Sequence, residues 1–63
     1  QMPRKKTPEI GDLVMLNKYF MDHGRLAIIT KTTQWNDVYI TFTDTLEETQ
    51  TYRTSLELVN ATN

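Results

Sequence analysis

Sixty-three residues, 38% of them hydrophobic and none of them cysteine, with a formal charge of −1, describe one small domain. A chain of this length hides only about 60% of the surface that its unfolded form exposes, so it has one thin core, no second domain and little room for a buried catalytic cavity. The missing cysteines exclude disulfides and thiolate metal sites, and no run approaches the ~18 apolar residues of a membrane span.

Residues 1–8 carry Arg4, Lys5 and Lys6 and no acid, a +3 segment between Pro3 and Pro8 that reads as a solvated, flexible basic tail. Gln1 stands before Met2, so the natural chain is expected to begin at Met2, and no signal-peptide pattern follows, which leads to the expectation of a cytoplasmic protein. Beyond the tail, Lys18, Arg25, Lys31 and Arg53 face eight acids, giving the remainder a charge of −4. An acidic body argues against phosphate or anionic lipid as the fold's own ligand.

From Gly11 onward the apolar spacing is that of strands. Gly11-Asp12 turns the chain into Leu13-Val14-Met15-Leu16-Asn17, and the polar stretch from Lys18 closes at Asp22-His23-Gly24, where glycine can take positive φ. Leu26 to Thr33 is rich in β-branched residues and reads as a second strand. Gln34-Trp35-Asn36-Asp37 reads as a tight hairpin connection. Val38 to Thr43 alternates, with Val38, Ile40 and Phe42 on one face and Tyr39, Thr41 and Thr43 on the other. Asp44 to Glu48 is an acidic loop, Thr49 to Arg53 a weaker strand, Arg53-Thr54-Ser55 a 3₁₀ turn, and Leu56 to Val59 a last short strand. No helical stripe is sustained, and eleven threonines favour strands over helices.

Five short strands in about fifty residues are too few for two packed sheets, so the expected fold is all-β, one sheet curled into a small barrel that hides its edges. Its expected core is Val14, Leu16, Ala27, Ile29, Val38, Ile40, Phe42, Leu56 and Leu58. Residues 9–60 form the barrel and 61–63 a C-terminal tail.

Ile10-Gly11-Asp12-Leu13-Val14, the loop closing at Gly24, Ala27-Ile28-Ile29, Val38 to Phe42 and Leu56 to Val59 resemble the SH3-like small barrels over residues 9–60. Their order and spacing are similar to the KOW-type barrels, to the small docking protein of photosystem I and its accessory relatives in electron transport, and to short proteins of tailed phages. The resemblance implies a five-stranded SH3-like barrel with a long first loop, and a phage-encoded or accessory docking role in a host cytoplasm. Ala27 stands where KOW-like sequences usually have glycine, and the −4 body differs from the basic docking surface of the photosystem I protein.

The residues offer little to catalysis. Ser55 lies in no nucleophile elbow and reads as a turn residue, Asp22-His23 supplies two metal ligands where zinc usually takes three or four, and the adjacent Glu47 and Glu48 point apart on extended chain. No enzyme activity, cofactor or metal is expected.

The aromatic residues carry the functional expectation. In SH3-like barrels the first loop and second hairpin approach each other, so the resemblance implies a groove lined by Tyr19, Phe20 and Trp35, with Tyr39 and Tyr52 on the outer face. Such aromatics anchor partners, and they also serve to cap the open ends of a barrel too small to cover itself; both readings stand for Trp35, and capping is favoured for Phe20. The expected function is a non-enzymatic module docking a protein partner through that groove. The alternative is nucleic-acid binding, with Arg4, Lys5 and Lys6 on phosphates and Tyr39 or Trp35 stacked on bases. Outward-facing Met15, Ile28, Tyr39 and Tyr52 also raise a homodimer, against which Thr41, Thr43, Thr49 and Thr51, expected to dilute the outer face with hydroxyls, weigh.

Overall fold

The computed structural model describes residues 7–17, 21 and 23–59. They form strands β1 (Leu13–Leu16), β2 (Leu26–Thr32), β3 (Asp37–Phe42) and β4 (Glu48–Tyr52), a 3₁₀ turn over Arg53–Ser55, and strand β5 (Leu56–Leu58). All neighbours pair antiparallel in one sheet of order β4-β3-β2-β1-β5. The fold is therefore all-β, as the threonine-rich, alternating sequence dictates.

Alternation sets the inner face. In β3, Val38, Ile40 and Phe42 are buried while Asp37, Tyr39 and Thr41 are half-buried on the other side. Val14 and Leu16 from β1, Ala27 and Ile29 from β2 and Leu56 from β5 meet them in a single core. Eight of the nine expected core residues are thus buried, and Leu58 packs against them half-buried. Leu58 ends a three-residue edge strand with a neighbour on one side only, so it is less covered.

The sheet must curl. Four strand intervals of ~4.8 Å would hold β4 and β5 about 19 Å apart in a flat sheet. The chain passes from Tyr52 to Leu56 in four steps, which span at most ~14 Å even when extended and about 8 Å in 3₁₀ geometry. Curling brings the two edges near each other at this turn, yet among the described residues no ladder joins β4 to β5, so the sheet is not closed. Each of these two outer strands therefore keeps one edge unpaired, where a closed barrel would have hidden both.

Three local features were not visible as such in the sequence. Thr30 is passed over between the Ile29–Ile40 and Lys31–Tyr39 pairs, a bulge that bends β2. The second hairpin connection is Thr33–Asn36, with Asp37 already in β3. The third hairpin turns with Leu46 at φ 64, a left-handed conformation, and the Leu46 N–H donates to the Phe42 carbonyl at 2.8 Å. Before β1, Asp12 N–H donates to the Glu9 carbonyl at 3.0 Å across a turn whose third residue, Gly11, has φ 92. Only glycine adopts that angle without steric cost, which explains the Gly-Asp pair opening the first strand.

Candidate functional site

The 3₁₀ turn bridges the first loop and the second hairpin. Its first N–H, at Arg53, donates to the Asn36 carbonyl in the second hairpin at 2.9 Å. At its other end the Ser55 carbonyl accepts from the Asn17 N–H at 2.9 Å, and the Thr54 carbonyl from the Asn17 side-chain amide at 2.8 Å. Since a single 3₁₀ turn is about 6 Å long, the root of the first loop and the second hairpin are held within about 12 Å of each other.

Trp35 sits in that hairpin with its backbone pinned and its indole out. The Trp35 N–H donates to the Thr33 hydroxyl at 3.0 Å, and the Trp35 carbonyl accepts from Arg53 Nη1 at 2.7 Å. The Thr33 hydroxyl can accept from Trp35 because its own hydrogen is directed to the Asp37 carboxylate, 2.7 Å away. Gln50 donates its side-chain amide to the other carboxylate oxygen of Asp37. A chain of polar contacts thus runs from β4 through Asp37 and Thr33 to the Trp35 backbone, while the residue as a whole stays 69% exposed.

The electrostatics agree with this order. The Thr33 hydroxyl bond holds the Asp37 carboxyl below the usual aspartate range, with Gln50 and the Arg53 charge assisting and desolvation opposing. Asp37 is accordingly a carboxylate near neutral pH, acceptor-only and suited to fixing Thr33.

Tyr52, 60% exposed, is the cross-strand neighbour of Asp37, so Trp35 and Tyr52 lie at the same end of the sheet. Tyr39 is half-buried on the outer face between Lys31 and Gln50, and the Lys31 ammonium stands 5.1 Å from its ring centroid. Tyr39 is therefore engaged by a cation of the same chain. Tyr19 and Phe20, and the basic Arg4, Lys5 and Lys6, lie outside the described residues, so the groove with the first loop and the phosphate-binding tail rest on the sequence alone. Among the other outward residues, Met15 and Ile28 are half-buried.

A second polar cluster ties the first loop to the third hairpin. Arg25 donates to the Asp44 carboxylate at 2.7 Å while its guanidinium lies 3.8 Å from the centroid of the Phe42 ring. That hydrogen bond lowers the Asp44 carboxyl below its ordinary range. Arg25 also roofs Phe42, so the pair covers one open end of the core.

Ser55 belongs to the 3₁₀ turn and His23 is exposed at a turn, while Asp22 lies outside the described residues. No group of three or more metal-ligating side chains occurs among the described residues. No described helix is long and apolar enough to cross a membrane. The residues that reasoning from the sequence missed are Thr33, Asp37, Gln50 and Arg53, which hold Trp35 from behind. The spacing of a hydroxyl at 33 and a carboxylate at 37 around the hairpin was the available signal. No known family model matches the chain, and no curated protein or solved structure shows significant similarity to it.

Proposed function

We propose that the chain is a non-enzymatic docking module that anchors a protein partner on Trp35 and Tyr52 at the hairpin end of the sheet. The observation that carries this reading is the solvent-facing tryptophan whose backbone is hydrogen-bonded on both sides. Both backbone groups of Trp35 are bonded, while the residue itself stays largely exposed and stands outside the cluster of eight buried core residues. Aromatic anchors are enriched at binding hot spots, and an anchor already fixed in the free protein has less ordering entropy to lose on association. Tyr39 belongs to the same outer face but is secondary, since Lys31 occupies its surroundings.

The test is capture from a native host lysate at low and high salt, with wild type, Trp35→Ala and a chain lacking residues 1–8. A protein retained at high salt by wild type and by the shortened chain, and lost with Trp35→Ala, is the expected result. Capture of nucleic acid with an affinity slope of about −2 to −3 in log salt, abolished by removing residues 1–8, would instead support the tail of Arg4, Lys5 and Lys6 as the interface. Retention indifferent to Trp35→Ala would overturn the aromatic anchor.

A further inference from the structure

The free edge of β4 has a pattern that fits a second copy of itself. The β3–β4 register is uniform from Asp37–Tyr52 to Thr41–Glu48. Just beyond its two ends, Phe42 N–H donates to the Glu47 carbonyl and Arg53 N–H to the Asn36 carbonyl, both at 2.9 Å. Hydrogen-bonded pairs alternate along an antiparallel ladder, so Thr49 and Thr51 direct their backbone groups to β3. Glu48, Gln50 and Tyr52 then direct theirs outward, to the side where the sheet ends.

This edge lacks the usual protection. It is five residues long, Glu48 is its sole charge, and it has no lysine, proline or bulge. The long side chains that would screen it are tied back over the sheet instead. Gln50 donates to Asp37, and the Glu48 carboxylate lies 3.3 Å from the Thr30 hydroxyl on β2. By contrast β5, the other edge strand, offers three residues.

We propose that β4 pairs antiparallel with β4 of a second copy about a two-fold axis at Gln50, joining two sheets into one of ten strands. Register selects this arrangement. Centring on Gln50 places Gln50 opposite its own copy and Glu48 opposite Tyr52, so all three outward-facing backbone positions find partners. It also sets Thr49 against Thr51, a favourable cross-strand pair. Centring on Glu48 would oppose two carboxylates, and centring on Tyr52 would leave Glu48 and Gln50 unpaired. The chemistry recognised is an identical strand, and Trp35 takes no part in it.

Sedimentation equilibrium from about 5 to about 500 µM reads the association, because an interface this short belongs to the weak, concentration-dependent class. Wild type is expected to rise from monomer to dimer mass over this range. Gln50→Pro removes an outward N–H that β3 does not use, so it should keep the circular dichroism of the fold and weaken association about tenfold or more. The chain has no cysteine, which makes Gln50→Cys a register probe whose α-carbons would stand about 5.5 Å apart, within disulfide range. Oxidation should link Gln50→Cys into dimers and leave the exposed hairpin variant Gln34→Cys monomeric. A monomer mass throughout, equal cross-linking of the two variants, or association undiminished in a folded Gln50→Pro would overturn the proposal. If Gln50→Pro fails to fold, the cross-linking comparison decides. Tyr52 belongs to both sites, the dimer edge using its backbone, so Trp35 separates them: Trp35→Ala should dimerise like wild type while losing the docked partner.

Discussion

Single residues in this domain sit in conformations that substitution can improve or undo. Leu46 holds φ 64 at 74% exposure, so it bears left-handed strain without contributing burial. Leu46→Gly should raise stability by about 1 kcal/mol in urea unfolding, because glycine reaches that angle without the clash. Thr51 is the complementary case, a buried residue whose hydroxyl has no hydrogen-bond partner. Thr51→Val keeps the shape and removes the unpaired group, and should stabilise by about 1 kcal/mol. Thr51 is expected among the outer threonines, but the structure turns it into the core, because its cross-strand partner is the buried Val38 and paired residues share a face. Nothing in one sequence says whether such an inward hydroxyl finds a partner. Leu46 was equally hidden, since leucine gives no sign of a left-handed position as glycine or asparagine would. Trp35 is the instructive site residue: its type drew attention to it, while the bonds to Thr33, Asp37 and Arg53 that support the proposed anchor form only in the folded chain.

At the level of elements, the strands were legible because their inner faces repeat with period two. Ile40 shows what that pattern is worth. It is fully buried at the centre of β3, between β2 and β4, and Ile40→Ala should cost about 2–5 kcal/mol in chemical denaturation. In a domain this small such a loss removes much of the total stability. The bulge at Thr30 was not legible, because the run from Leu26 to Thr33 is uniformly strand-forming and does not mark which residue is skipped. The loop contacts add a pH dependence. Asp37 and Asp44 both have folded carboxyl groups lowered by hydrogen bonds, from Thr33 and Arg25 respectively. Their contribution is therefore complete above the ordinary aspartate range and lost as pH falls through the lowered folded values. Thermal unfolding followed from neutral pH down should show this acid loss, and Asp37→Asn with Asp44→Asn should flatten it.

The whole molecule depends on joining its two ends. β5 pairs with β1, so residues 56–58 meet residues 14–16, and Leu56 enters the same core as Val14 and Leu16. A chain ending at Ser55 loses this pairing and should give a circular dichroism spectrum without β structure. The same closure sets the site, because the 3₁₀ turn that carries the chain to β5 is bonded to Asn17 on one side and to the Trp35 hairpin on the other. The proposed docking site is therefore coupled to the fold through that turn: whatever loosens Arg53–Ser55 also releases the carbonyl of Trp35. The most direct measurement is the ¹⁵N order parameter of the Trp35 amide in the free protein. A backbone held by Thr33 and Arg53 predicts about 0.85, equal to the residues of β3, whereas a value below about 0.6 would mean that the tryptophan rides on a loose loop and would contradict the proposed preorganised anchor.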